Sequence, residues 1–316
     1  QGGGHAQFSA VPLNLQLILQ EDKCKGNYIV TGTWSERSYK EALKFHNVYN
    51  SFEELNRNTI PLGYNNIYEN LVINNDDGYV YMCSNETVNG TEFRNDGIPY
   101  PTRKELNGAK LVVDMCSDLG MKQIDWDNLD VAFCCTSKNF GIAGANILII
   151  RKEILKELEN KNKKIPCTLD WNLYDKSNSL YNTPAIFNIY LIDKLLEYYI
   201  SCGGVEYFEK MSKEKAKLVY ELLDNSHLYK PVVSNIKARS NINIPFTIED
   251  VDVRSCFLEY CYNNNIVGLR TKTPFNYSDF NMIEPLRISL YNGISLEDTK
   301  SLIKVMNDFE KMLIVK

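Results

Sequence analysis

A chain of 316 residues with 44% hydrophobic and 24% charged side chains has the composition of a soluble globular protein, with room for two domains. Its formal net charge of −5 argues against a nucleic-acid partner and leaves any anion site to a local cluster. No apolar run approaches the roughly 20 residues of a membrane span, and the histidines (His5, His46, His227) and nine cysteines lack zinc spacing.

No nucleic-acid partner, membrane span or metal is therefore expected. Cys116, Cys134 and Cys135 lie inside apolar runs, which suits small buried hydrophobes in a reducing compartment, so a cytoplasmic location is expected. The chain begins at Gln1 without a methionine, which leaves room for a preceding segment, a targeting signal included.

In chain order, the glycine run Gly2-Gly3-Gly4-His5 leads into the apolar stretch Phe8–Leu13. Tyr28-Ile29-Val30 reads as a strand. Ser35 to Lys44 reads as a helix with Tyr39, Ala42 and Leu43 on one face. Residues 47–76 carry short apolar patches and many asparagines. Gly78–Cys83 is a second strand, followed by Ser84-Asn85-Glu86-Thr87, and residues 95–107 read as loop. Two apolar runs follow, Leu111-Val112-Val113-Asp114 and Val131–Cys135, and then a strand at Ile147–Ile150. Residues 152–160 read as a polar helix. Asn182-Thr183-Pro184 breaks structure before a long amphipathic helix from Ala185 to Ser201.

Cys202-Gly203-Gly204 is the expected boundary between a large domain, 1–202, and a small one, 203–316. Beyond it, Phe208–Leu223 reads as a helix with Met211, Val219 and Leu222 in its stripe. Ile242–Phe246 alternates as a strand whose Pro245 suggests a sheet edge, and Arg287–Tyr291 alternates too. Ser295 and Asp298 form a capping box for a last helix with Leu302, Met306, Phe309 and Leu313 on its buried face. Strands alternating with helices and then a smaller mixed portion predict an α/β large domain with a mostly parallel sheet, plus a smaller α+β C-terminal domain.

Asp114 and Lys138 each close an apolar run, 24 residues apart. Short β-branched runs read as buried strands of a parallel sheet, and ligands bind beyond the carboxyl ends of such strands. An acid and a lysine there can hold the two ends of pyridoxal 5′-phosphate: the lysine as a Schiff base, the acid against the ring nitrogen. Taken alone, both also suit turn, cap or solvated positions. The other signals are similarly two-sided. The glycine run suits phosphate or a flexible turn. Trp34 suits ring stacking or core packing. Asn85 and Thr87 suit a ring-oxygen contact or a local turn, and Asn182-Thr183 a phosphate contact or a helix cap. Arg287 suits a carboxylate or a surface ion pair. Cys134-Cys135 reads as core.

The ordered set resembles the phosphoserine aminotransferase family, of fold-type I: Gln1-Gly2-Gly3-Gly4 to Asn14, Thr31–Ser35, Asn85-Glu86-Thr87, Asp114–Ser117, Lys138-Asn139, Tyr181–Pro184, Asn243–Phe246 and Arg287–Asn292. The resemblance implies that Lys138 is the Schiff-base lysine and that Asp114 pairs with the pyridine nitrogen. It implies that Trp34 stacks on the ring, Thr87 bonds its phenolic oxygen, and the backbones of Gly4 and His5 donate to the cofactor phosphate. Asn182 and Thr183 would reach the neighbouring subunit's phosphate, which implies a homodimer with shared sites. Arg287 would hold the substrate carboxylate. The implied reaction exchanges phosphoserine and 2-oxoglutarate for 3-phosphohydroxypyruvate and glutamate, in serine biosynthesis.

Departures accompany the likeness. Ser137 stands where the family has glutamine; serine can still donate to phosphate from a shorter reach. The family's Gly-His-Arg before the carboxylate arginine corresponds to Leu269–Thr273, so Arg270 and Lys272 are candidates to grip the substrate phosphate. The family chain extends several tens of residues before Gln1, and part of the large domain is expected there. The alternatives are another pyridoxal-phosphate aminotransferase, a desulfurase using Cys24, Cys167 or Cys202, and a non-catalytic relic of the fold.

Overall fold

The computed structural model describes residues 2–45, 47–51, 71, 73–161, 164–270 and 285–314. Helix α1 (Gly4–Leu15) leads into β1 (Lys25–Ile29), α2 (Thr33–Ala42), β2 (Val48–Asn50) and β3 (Asp77–Cys83). A short hairpin, β4 (Asn85–Glu86) and β5 (Thr91–Glu92), precedes β6 (Lys110–Asp114), β7 (Val131–Cys135) and β8 (Asn146–Ile150). Then come α3 (Lys152–Glu159), α4 (Trp171–Lys176), α5 (Ile186–Ser201) and α6 (Gly204–Asn225). The chain closes with β9 (Lys230–Pro231), β10 (Asn243–Thr247), α7 (Val251–Asn263), β11 (Leu286–Ser289) and α8 (Leu296–Ile314).

Six strands form one sheet in the order β2-β1-β3-β6-β7-β8. All its pairings are parallel except β7 with β8. Alternation explains the two cores on its faces. Tyr79, Tyr81, Val112, Val131 and Phe133 point to one cluster. Val80, Met82, Leu111, Val113 and Ala132 point to the other. Strands buried on both faces read as continuous apolar runs, which is why the sequence displayed them.

A second sheet, in the order β11-β10-β9, packs with α6, α7 and α8 around a third core that includes Val219, Ile244, Phe246, Phe257 and Met306. The expected edge proline is a correction, because Pro245 lies in the central strand. The Arg287 N–H turns outward to the Leu269 carbonyl, so the Pro245–Arg287 pair exchanges no ladder bonds. The nitrogen of Pro245 faces β9, whose pairing with β10 is only two residues long, and its carbonyl still accepts from Val232.

Three further expectations change. Leu43 and Leu313 are exposed rather than on buried faces, and α5 buries only Asn188 among its sixteen residues. The capping box of α8 is present: the Ser295 N–H donates to Asp298 Oδ2, and the Asp298 N–H to Ser295 Oγ. Much of the asparagine-rich 47–76 stretch, with Gln1, His46 and Lys272, lies outside the described residues. No helix among the described residues is long and apolar enough to cross a membrane.

Candidate active site

From β1 the chain crosses to β2 on one side, while β3, β6 and β7 run out on the other. That reversal makes a crevice beyond the carboxyl ends of β1 and β3. Trp34 follows β1 and Thr87 follows β3, and they meet across it: Trp34 Nε1 donates to Thr87 Oγ1 at 2.7 Å. Glu86 fixes this arrangement. Its buried carboxylate accepts the N–H groups of Trp34 (2.9 Å) and Ser35 (2.8 Å) and the Ser35 hydroxyl (2.6 Å), closing the N-terminus of α2. Burial raises its pKa, with the Ser35 bonds opposing. Gly32 is needed here, because a Cβ would lie 2.7 Å from Glu86 Cδ.

Asp114 ends β6 at 3% exposure. Its Oδ1 accepts the Cys116 N–H at 2.8 Å, while Oδ2 accepts from the Tyr81 hydroxyl at 3.5 Å. Burial lifts its carboxyl to about 6, with Cys116 bonds and the Lys138 charge pulling down. Lys138 follows β7 and places Nζ 5.8 Å from the centre of the Trp34 ring. Burial works against its charge, but Tyr291, Cys116, Cys135 and Asp114 outweigh it, and its pKa is raised.

The amides of Gly4 and His5 open α1, and no side chain caps them. The His5 ring stands edge-on to Trp34, 5.6 Å between centroids. A Cβ on Gly4 would meet Cys116 Sγ at 2.6 Å, so glycine lets the helix end approach the Asp114 loop. Arg287 Nη1 donates to the Thr87 carbonyl at 2.9 Å, which brings this half-buried arginine from β11 into the crevice.

Other predicted residues are placed differently. Asn85 is committed between the two sheets: Nδ2 donates to Ser117 Oγ and Asn243 Oδ1, and Oδ1 accepts from Ser240. Asn182 lies just before α5, its Oδ1 accepting from the Tyr174 hydroxyl at 3.3 Å, and Thr183 beside it is exposed. Arg270 is exposed and pairs with Leu286, a register that sets it on the opposite face of the ladder from Arg287.

Cys134 and Cys135 are both buried, as the sequence reading had them, and Cys135 sits beside the site. Its thiol accepts from Ser137 Oγ at 3.4 Å, and a hydrogen bond from Cys116 lowers its pKa against the effect of burial. The sequence reading also gave no role to Glu86, Arg37, whose guanidinium lies 4.9 Å over Trp34, or Tyr291. Glu86 and Tyr291 lay within the quoted Asn85-Glu86-Thr87 and Arg287–Asn292 segments; Arg37 carried no local signal.

A buried acid with one weakly bonded oxygen, a lysine beside a flat indole, and uncapped helix amides suit a group with a protonatable ring nitrogen, an aldehyde and a phosphate. That is the donor set pyridoxal phosphate needs.

Comparison with known proteins agrees. Residues 1–302 match the family described as aminotransferase class-V. A phosphoserine aminotransferase of Lysinibacillus sphaericus is 34% identical over 98% of this chain and 79% of its own. The phosphoserine aminotransferase structure from Bacillus circulans subsp. alkalophilus superposes with a TM-score of 0.82 at 27% identity, covering 99% of this chain and 80% of that one. The pyridoxal-phosphate-bound enzyme of Trichomonas vaginalis gives 0.80 at 28% identity, covering 97% and 80%. The chain belongs to the phosphoserine aminotransferase family of class-V aminotransferases.

Proposed function

We propose that this protein is a pyridoxal-phosphate-dependent phosphoserine aminotransferase, exchanging phosphoserine and 2-oxoglutarate for 3-phosphohydroxypyruvate and glutamate. The observation that carries the reading is the meeting of Asp114, Lys138 and Trp34 at the strand ends, with Asp114 Oδ2 engaged by the long 3.5 Å bond from the Tyr81 hydroxyl and able to meet a ring N–H.

Gly4, His5 and Ser137 would hold the cofactor phosphate, Trp34 would cover the ring, Thr87 would donate its hydroxyl proton to the phenolic oxygen, and Asp114 would pair with the ring nitrogen. When bound, the cofactor supplies an electron sink for the pair left on a deprotonated substrate carbon. Asp114 keeps that sink effective by holding a proton on the ring nitrogen. Lys138 Nζ would hold the cofactor's aldehyde end and, as a free amine, would take a proton from the substrate carbon. To act as the base it must be a neutral amine at that step. Arg287 orients the substrate carboxylate with its forked donors. The likeness alone assigns Arg270 and Lys272 to the substrate phosphate, since Arg270 stands on the face opposite Arg287; replacing both with alanine should raise the phosphoserine KM and leave cofactor affinity unchanged.

We also assign a homodimer with shared sites. Ile186, Phe187, Tyr190, Tyr198 and Ile200 on α5 are each more than half exposed, and Asn182 and Thr183 adjoin this apolar surface. They would complete the partner's phosphate site. The division at residue 203 rests on the third core, although Val233 and Ala238 pack into the main sheet's second cluster. A cytoplasmic location is proposed with it.

The test is to load the protein with pyridoxal phosphate, add phosphoserine alone and follow the visible band. Conversion to the aminated cofactor, absent in Lys138→Ala, supports the assignment. A band indifferent to phosphoserine moves the substrate to another amino acid. No band removes Lys138 from its role.

A further inference from the structure

We infer that Asn292 is a positioning residue for Lys138, acting through Asn139, with Lys215 holding Asn292 in place. The inference rests on the role given to Lys138 above.

Asn139 follows the lysine, is 4% exposed and spends its whole side chain. Its Nδ2 donates to the carbonyls of Ser117 and Leu119, each at 3.3 Å, and its Oδ1 accepts the Asn292 N–H at 3.2 Å. The Asn139 carbonyl accepts from the Tyr199 hydroxyl of α5. Asn292 makes a second bond in the same direction, Nδ2 to the Gly120 carbonyl at 3.2 Å. The turn after β11 thus grips the segments that follow β6 and β7 together.

Lys215 clamps that turn from α6. It is 3% exposed, and its Nζ donates to the carbonyls of Leu290 (3.0 Å), Tyr291 (3.1 Å) and Ile294 (2.7 Å). Three carbonyls match the three N–H groups of an ammonium. Burial lowers its pKa to about 8, with Asp298 opposing, so the three donors persist at neutral pH. Arg287 sits in the strand that feeds this turn and reaches the Thr87 carbonyl. One clamped unit therefore fixes both the carboxylate-binding arginine and the neighbour of the lysine. The distance between the substrate's anchored end and Nζ is set there, where misplacement by about 1 Å can cost roughly 100-fold in rate.

The experiment uses full-length Asn292→Ala and Lys215→Met. Without cofactor, trace acetic anhydride labels lysines across a pH series, and mass spectrometry compares Lys138 with exposed Lys104 and buried Lys122. With cofactor, kcat and KM for phosphoserine are measured. In Asn292→Ala, the labelling rate of Lys138 should change at least about 3-fold with both controls unchanged, and kcat should fall about 10-fold with KM nearly constant. Lys138 labelling equal to wild type overturns the inference, as does an equal change at Lys122, which marks general loosening. If Lys215→Met does not fold, Asn292→Ala decides alone. A selective shift at Lys138 in a protein whose wild type ignores phosphoserine supports the positioning role and overturns the substrate assignment instead.

Discussion

Replacing Asp114 with asparagine should make the cofactor-free protein more stable while abolishing its turnover. The carboxyl is lifted from its ordinary 3.8 to about 6, a rise of roughly 2 units, or about 3 kcal/mol at 1.36 kcal/mol per unit. The sign follows from proton binding: the folded state holds this proton more tightly than the unfolded chain. The group's stabilising contribution is therefore complete below its unfolded pKa and is lost as pH rises through about 6. At neutral pH the native state carries a buried charge that asparagine lacks. Asparagine Oδ1 can still accept the Cys116 N–H now bonded at 2.8 Å, so the replacement leaves that donor satisfied. Urea unfolding of both proteins without cofactor measures the difference. The variant should gain about 1–3 kcal/mol at neutral pH, and the gap should close near pH 4. With saturating pyridoxal phosphate the order should reverse, because only the wild type offers the ring nitrogen a carboxylate. A variant less stable than wild type at neutral pH, or a gap that ignores pH, refutes the assignment of an uncompensated charge at this position.

Glu86→Gln removes the charge that closes α2. It should cost about 1–3 kcal/mol in unfolding experiments and weaken cofactor affinity by letting Trp34 turn; unchanged affinity would show that Trp34 holds itself. Gly4→Ala should weaken cofactor binding with little change in melting temperature, since its Cβ would crowd the Cys116 sulfur at 2.6 Å and touch Phe133 at an ordinary 3.8 Å; adding Cys116→Ala should restore affinity, and failure to do so would place the conflict elsewhere. Lys122 bonds Glu92 (3.1 Å) and Asp118 (2.7 Å) at less than a tenth exposure, so Lys122→Met strands two buried acids and should cost about 3–5 kcal/mol. A loss below about 1 kcal/mol would mean that the acids take up protons freely.

The sequence displayed what periodicity and strand ends can carry. Leu111–Asp114 and Val131–Cys135 are buried on both faces, so their apolar runs were continuous and the residues after them stood out. Pro245 misled because a central strand tolerates proline where its nitrogen faces a pairing of two residues, and pairing partners are set by tertiary order. Asn85 misled because its side chain is saturated by Ser117, Asn243 and Ser240, the last two more than 150 positions away. In each case the missing information was the identity of a partner across the sheet, which no local pattern encodes. Leu43, Leu313 and most of α5 departed for another reason: amphipathic spacing marks an apolar face without naming what covers it.

The contacts between the main sheet and the β9–β11 unit are strongly polar at the crevice. Asn85 bridges to Asn243 and Ser240, Glu92 accepts the Asn241 N–H at 2.8 Å, Arg287 reaches Thr87, and Asn292 reaches Asn139. Apolar packing tolerates small slides because it is non-directional, whereas each of these bonds is lost within a fraction of an ångström. Directional contacts therefore fix the register of Arg287 against Lys138 more sharply than buried area could. They also explain the use of asparagine. A carboxylate at 85, 139, 243 or 292 would add charge beside Asp114 and Glu86, both of which already bear the cost of burial. An amide supplies donor and acceptor together without that charge. Asp114 thus carries its negative charge where a ring nitrogen can meet it, and Glu86 where a helix end already does.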